Sequence, residues 1–237
     1  FLFPKPLELI KTLLRAGLDK SDLVLDFFAG SGTTAHAVLD LNKEDGGNRK
    51  FICVQLPEET PADSEARKAG YATIAAIGRA RIRKVIEQMN AEQVAQLPLQ
   101  PWPTLGFRAF TLASSNFKIW RGDVKLENEL LTQLDMFQQP AHSDNEEAIL
   151  WELLLKAGYP LSATIETRQV GGAALHVVDG GEIIIALQAV NLAVIEAVRQ
   201  AKPAAFICLD KLFNDDDQLK TNTSLQFQED GIAFRAI

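Results

Sequence analysis

The first 95 residues carry two alternating kinds of hydrophobic pattern. Leu7, Ile10, Leu13 and Leu14 recur at helical spacing between Pro6 and Gly17, which predicts a helix over residues 6–16 that opens on proline and stops at glycine. Leu23-Val24-Leu25-Asp26-Phe27-Phe28 has no polar alternation, the pattern of a strand covered on both faces of a parallel sheet. It runs straight into Ala29-Gly30-Ser31-Gly32-Thr33-Thr34 and then into a helical pattern through Ala37, Val38 and Leu41. Asp45-Gly46-Gly47-Asn48 predicts a turn and residues 49–56 a second buried strand. Ile74, Ile77, Ile82, Val85 and Met89 predict one long helix over residues 64–90. Helix, strand, glycine turn, helix, strand, helix is the order of one half of a doubly wound α/β sheet.

Pro98, Pro101 and Pro103 mark residues 96–106 as a linker between a first part, 1–95, and a second, 107–237. Strands are expected over 107–112 and 117–120, and a strongly apolar helix over 146–157 that ends at Gly158. Three more strands follow at 163–170, 174–178 and 182–187, with Gly171-Gly172 and Gly180-Gly181 at the tight connections. A helix at 192–200, a buried strand at 204–209, a polar segment and a last strand at 232–237 complete a smaller α+β domain. Asp215-Asp216-Asp217 is placed to cap a helix behind it.

Composition narrows the classes. With 47% hydrophobic and 23% charged residues, the 237-residue chain reads as globular, with no apolar run long enough for a membrane span. No secretory pattern stands at the start, and Cys53 and Cys208 are the only cysteines, too few for a disulfide framework or a structural zinc site. A cytoplasmic protein is the expectation. The net charge of −7 is uneven: residues 1–104 hold 13 basic and 13 acidic side chains, the remainder 11 against 18. Such a chain is poorly suited to be the main grip on nucleic acid, which rests on Lys and Arg.

The segment from Asp26 to Thr34 is the richest in chemistry. Gly30 and Gly32 permit positive φ and close approach of a ligand to the backbone, and the following helix presents free N–H groups. Ala35 stands where a dinucleotide fingerprint has its third glycine. Asp26 can order the turn and meet an ammonium group, and Gln55, at the end of the second strand, sits where polar side chains meet ribose hydroxyls. S-adenosylmethionine offers both groups.

Lys5-Pro6-Leu7-Glu8-Leu9-Ile10 and the run from Asp26 through Val38 closely resemble the cofactor-binding motifs of β-order amino-DNA methyltransferases. Gly46-Gly47-Asn48-Arg49-Lys50-Phe51-Ile52, Val54-Gln55-Leu56-Pro57-Glu58, Ser114-Ser115-Asn116-Phe117-Lys118-Ile119-Trp120 and Asp217-Gln218-Leu219-Lys220-Thr221-Asn222 resemble, more specifically, the C-terminal portion of Mod subunits of type III restriction–modification systems. The resemblance implies a partial Rossmann-like sheet and a smaller C-terminal assembly domain. It implies S-adenosylmethionine as cofactor, held by Lys5, Pro6, Asp26, Phe28, Ala29, Gly30, Ser31, Gly32, Thr33, Thr34 and Gln55, with Leu9, Leu13 and Val38 as plain core. Gln55 departs from the acidic residue common in the family. The partners implied are the upstream catalytic and recognition part of the same subunit, a second Mod copy, the restriction subunit, and DNA mainly through the missing region, with no membrane.

The ten prolines include no adjacent pair, so no Asp-Pro-Pro-Tyr motif occurs in the chain. A flipped adenine needs that motif's aromatic ring and its acceptors for the exocyclic amine. The expectation is therefore the cofactor-binding and assembly part of a DNA adenine-N6 methyltransferase, with no catalytic residue of its own and inactive alone. A non-catalytic dimerisation or restriction-subunit docking module and an unrelated nucleotide-binding α/β protein remain alternatives. Arg79, Arg81, Arg83 and Lys84 read first as the solvated side of the long helix and second as contacts to phosphate or a partner. Thr33 and Thr34 read as cofactor contacts or helix caps, and Lys220-Thr221-Asn222 as a partner contact or a local turn. His36, His142 and His176 share no metal-ligand spacing, so no metal is expected. Trp102, Trp120 and Trp151 read as core or interface anchors.

Overall fold

A two-stranded parallel sheet and a five-stranded mixed sheet organise the chain. The computed structural model describes residues 4–95, 105–117 and 145–237. Two units are separated by contact, Phe1–Phe110 and Thr111–Ile237.

In the first unit, helix α1 (Leu7–Gly17) precedes strand β1 (Leu23–Asp26), helix α2 (Thr33–Asp45) and strand β2 (Lys50–Cys53). β1 and β2 pair in parallel, Leu23 opposite Lys50 and Asp26 opposite Cys53, with α2 as the crossover. The long helix expected over 64–90 is broken into α3 (Glu65–Lys68) and α4 (Ile74–Ala95). Gly70 lies between them at φ +89°, a left-handed conformation no helix can carry. Ala35 and Leu39 of α2 pack on Ile82, Val85 and Met89 of α4, with Phe51 and Cys53 joining from β2.

The expected strand over 107–112 is absent. Leu105 and Phe107 pack on the α2–α4 cluster, and the guanidinium of Arg83 lies 5.7 Å from the centre of the Phe107 ring. These side chains thus find packing partners without strand pairing. The other expected strand, over 117–120, lies outside the described residues beyond Phe117, as do Trp102, Trp120 and most of the linker.

β1 is not covered on both faces as its pattern implies. Val24 is buried, but Leu23 and Leu25 are exposed, together with Ile52 of β2, Val54 and Leu56 beyond it, and Phe27 beyond β1. Residues paired across the ladder share a face, so these form one apolar surface that nothing covers among the described residues. Leu9 and Leu13 are likewise exposed, and only Val38 of the three expected core residues is buried. The buried residue of α1 is Lys11, 3% exposed, paired with Glu8 and with Asp40 and Glu44 of α2. Burial pulls its pKa down, but the three carboxylates outweigh that and raise it.

In the second unit, helix α5 (Glu146–Lys156) is followed by strands β3 (Ile165–Val170), β4 (Ala173–Val178) and β5 (Ile183–Ala186), helix α6 (Leu192–Ala201), strand β6 (Ala205–Cys208), a 3₁₀ turn (Asp210–Phe213), helix α7 (Asp217–Glu229) and strand β7 (Ala233–Ala236). The sheet runs β3-β4-β5-β6-β7, antiparallel up to β5 and parallel from there. Leu175, Val177, Ile184 and Phe206 face α6 and α7, while Val178, Ile183, Ile185 and Ile207 face α5. Helices therefore cover both faces of a mixed sheet, consistent with the smaller α+β domain expected. The polar segment is helical because Asp216 caps α7 through Leu219 N–H at 2.8 Å and Thr223 and Phe227 are buried beneath it. Among the described residues, no helix is long and apolar enough to cross a membrane.

Ser115 and Asn116, from the Ser-Ser-Asn-Phe segment, clasp α5. Ser115 Oγ and the Asn116 backbone and side-chain amides all donate to the Glu152 carboxylate, and Lys156 pairs with it at 2.8 Å while lying 4.4 Å from the Phe117 ring centre. Burial works to raise the Glu152 pKa, but Lys156, Ser115 and Asn116 together bring it down to about 2.

Candidate functional site

Where β1 ends, the chain reverses into α2 within six residues. Gly30 and Gly32 have φ of +51° and +74°, a region that costs an L-residue about 1–2 kcal/mol. Gly32 is the N-cap of α2 and no side chain caps the helix, so neither Thr33 nor Thr34 has the capping role.

The turn is pinned from above by the strand ends. Asp26 accepts the Phe28 N–H at 3.0 Å on one oxygen and the Thr34 hydroxyl at 2.5 Å on the other. Gln55 accepts the Gly30 N–H at 2.7 Å, leaving its amide NH₂ as a donor. Ala29 N–H to Val54 and Gly32 N–H to Ala29 close the bend.

From below it rests on α4. A Cβ at Gly32 would stand 3.2 Å from the Gly78 carbonyl oxygen, and a Cβ at Gly78 would stand 3.2 Å from that of Gly30. Here two glycine backbones touch. One turn further along, Arg81 donates to Thr33 Oγ1 at 2.7 Å and Ser31 Oγ at 3.2 Å, and its other Nη lies 3.4 Å from His36 Nδ1. Burial lowers the Arg81 pKa; burial first, then Arg81, lowers that of His36, so the imidazole is neutral at pH 7 and Nδ1 can accept. Cys53, beside Asp26, is pushed up to about 11 by burial and then by that carboxylate, so it stays an unreactive thiol at neutral pH.

The structure thus gathers Asp26 with Phe28 and Thr34, and Gln55 with Gly30, at the same strand ends, with Phe28 itself 88% exposed. Ser31 and Thr33 are buried with their hydroxyls turned to α4, so what they offer a ligand on the open side is backbone. Ala29 is half-buried between them and the strand ends, and Lys5 and Pro6 are exposed at the start of α1, the helix that packs on α2.

Arg81 corrects the sequence reading. It is not part of a solvated basic face but the support of the turn. The signal that could have found it is Gly78, a glycine inside a helix one turn before an arginine on the same side; such a glycine costs about 1 kcal/mol unless another backbone needs the space. Lys220-Thr221-Asn222 lies on α7 rather than in a turn, with Lys220 paired to Asp210 at 2.6 Å.

Comparison with known proteins bears on this arrangement. Residues 1–66 match a family model described as DNA methylase. The chain is 32% identical, over 77% of its length, to the Mod subunit of the type III restriction–modification enzyme StyLTI from Salmonella typhimurium. It is 34% identical, again over 77%, to the Mod subunit of EcoPI from Escherichia phage P1. The chain is Mod-like. A type II methyltransferase, M.KpnI from Klebsiella pneumoniae, is 40% identical over 35% of the chain and 20% of its own length. The Mod-like chain spans under a third of the two Mod subunits it matches, 31% and 27% of their lengths.

Proposed function

We propose that this Mod-like chain is the cofactor-binding and subunit-assembly portion of a site-specific DNA adenine-N6 methyltransferase, inactive by itself. The observation that carries the reading is the glycine bend at the carboxyl ends of two parallel strands, with Asp26 and Gln55 hydrogen-bonded into it. That end of a parallel sheet is where nucleotide-like ligands bind in open α/β folds. The residues present suit S-adenosylmethionine: a carboxylate for its ammonium, an amide NH₂ for a ribose hydroxyl, and an exposed aromatic ring for its apolar parts. When bound, the cofactor supplies the methyl group. Asp26 and Gln55 would orient it, Gly30 and Gly32 would let it lie against the backbone, and Phe28, with Lys5 and Pro6 as a further wall, would shield it from water.

Inactivity follows from the lack of the Asp-Pro-Pro-Tyr motif in this sequence. The apolar face of β1 and β2, exposed among the described residues, supports the same reading, because a half-covered parallel sheet is uncommon and a further layer would bury it. The upstream catalytic and recognition part of the subunit is the occupant proposed for that face. The second unit is proposed to serve contacts to a second Mod copy and to the restriction subunit.

Titration calorimetry with S-adenosylmethionine and, separately, NAD tests the cofactor assignment. The expected result is binding of the first in preference to the second, and tighter NAD binding would overturn it. Mixing the chain with an upstream polypeptide that carries Asp-Pro-Pro-Tyr is expected to yield methyl transfer to DNA. Silence from two folded partners would favour a non-catalytic docking module.

A further inference from the structure

We propose that Arg81 is a positioning residue that holds the glycine turn from beneath in its ligand-ready shape; the inference rests on reading the turn as a cofactor site, but its structural half stands independently. A bend with two left-handed glycines is intrinsically permissive, because glycine has the largest backbone entropy to lose. Something must restrict it if the backbone is to be pre-shaped for a ligand, since ordering a loop at the moment of binding weakens affinity. The strand-end bonds from Asp26 and Gln55 fix the upper side. Ser31 and Thr33, the residues that flank Gly32, are anchored by one planar guanidinium that reaches both hydroxyls from a single Nη. Its second Nη meets neutral His36, one turn into α2, so a single side chain ties together the bend and the helix that follows it.

Arg81 is suited to this task and a lysine is not. The guanidinium fork is flat, always charged and able to contact several acceptors in fixed geometry, whereas an ammonium is a single point donor. Its acceptors among the described residues are neutral: two hydroxyls and an imidazole nitrogen. The bonds are therefore charge-assisted from the donor side, and both hydroxyls are held by the guanidinium itself. Gly78 completes the device by letting α4 approach until backbone meets backbone.

The test compares this chain with its Arg81→Ala and Arg81→Lys variants by amide hydrogen exchange without ligand and by calorimetry with S-adenosylmethionine. Arg81→Ala is expected to speed exchange at residues 30–34 while α1 and the five-stranded sheet keep their protection, and to weaken cofactor binding by about ten- to a hundredfold, the effect of losing charge-assisted bonds. Arg81→Lys is expected to fall between. Combining Arg81→Ala with Ser31→Ala and Thr33→Val is expected to add little further, because all three changes cut the same link. If Arg81→Ala fails to fold, the Lys variant and the Ser31→Ala/Thr33→Val pair carry the same comparison. Unchanged exchange at the turn, loosening spread evenly over the first unit, or additive losses would overturn the proposal. A loosened turn in a chain whose parent does not bind S-adenosylmethionine would uphold the role of Arg81 and overturn the cofactor reading.

Discussion

Replacing Gly78 by alanine sets two effects of known sign against each other. Inside a helix, Gly→Ala normally stabilises by about 1 kcal/mol, through lower backbone entropy in the unfolded chain. At Gly78 the new Cβ would stand 3.2 Å from the Gly30 carbonyl oxygen and 3.6 Å from the Gly32 nitrogen. Relief requires the turn or α4 to shift by a few tenths of an ångström. The turn resists, because Gln55 holds the Gly30 N–H and Arg81 holds both flanking hydroxyls. Forcing an extra methyl into such a site costs about 1–3 kcal/mol. The sum predicts a loss of about 0–2 kcal/mol where helix propensity alone predicts a gain of about 1 kcal/mol. Ala91, exposed on the same helix, sets the scale: Ala91→Gly should lose about 1 kcal/mol by propensity alone. Urea unfolding followed by exchange of α2 and α4 amides measures both variants in the first unit. A Gly78→Ala chain more stable than its parent would refute the claim that the two glycine backbones are held in contact.

Other consequences can be checked directly. Lys11→Ala leaves Asp40 without its cation and Glu44 with Arg15 alone, and should lower first-unit stability by about 1 kcal/mol, moderated because both carboxylates reach solvent; no change in urea midpoint would mean the pairs contribute nothing. The Glu152 clasp makes a pH-dependent contribution. The folded pKa lies below the ordinary value, so its stabilisation is fully present above about pH 4.5 and is lost as pH falls towards 2. The stability gap between the parent and Glu152→Gln should close over that window, and a gap constant from pH 6 to pH 2.5 would contradict it. Leu25→Lys with Ile52→Lys should reduce self-association and dye binding while changing the unfolding midpoint little, since Leu25 is 49% and Ile52 42% exposed and a lysine can carry its ammonium out to water. Unfolding of that variant would mean the face is already covered.

The sequence carries the second unit clearly: α5 to β6 fall within a residue or two of their expected ends, because continuous apolar runs and paired glycines bound each one. The strand–turn–helix around Gly30 and Gly32 is equally legible. What could not be read is which side of a pattern meets a neighbour. Leu9, Leu13, Leu23 and Leu25 look like core because core and docking surface share the same residues, and nothing local says whether a covering layer is present. Charges inside packed elements were missed for the opposite reason. Lys11, Arg81 and Glu152 each look solvated until tertiary partners tens of positions away, Asp40, Thr33 and Ser115, come within hydrogen-bond range. The helix break at Gly70 depended on one left-handed residue in a stretch otherwise rich in helix formers.

The central claim is that the bend between β1 and α2 receives a methyl-donor nucleoside. A crystal structure of the chain with S-adenosylhomocysteine measures it most directly. The account predicts the ligand lying against the backbone of Gly30 and Gly32, its ammonium at Asp26 and its ribose at Gln55. A fully formed bend with the ligand elsewhere, or nowhere, would contradict it.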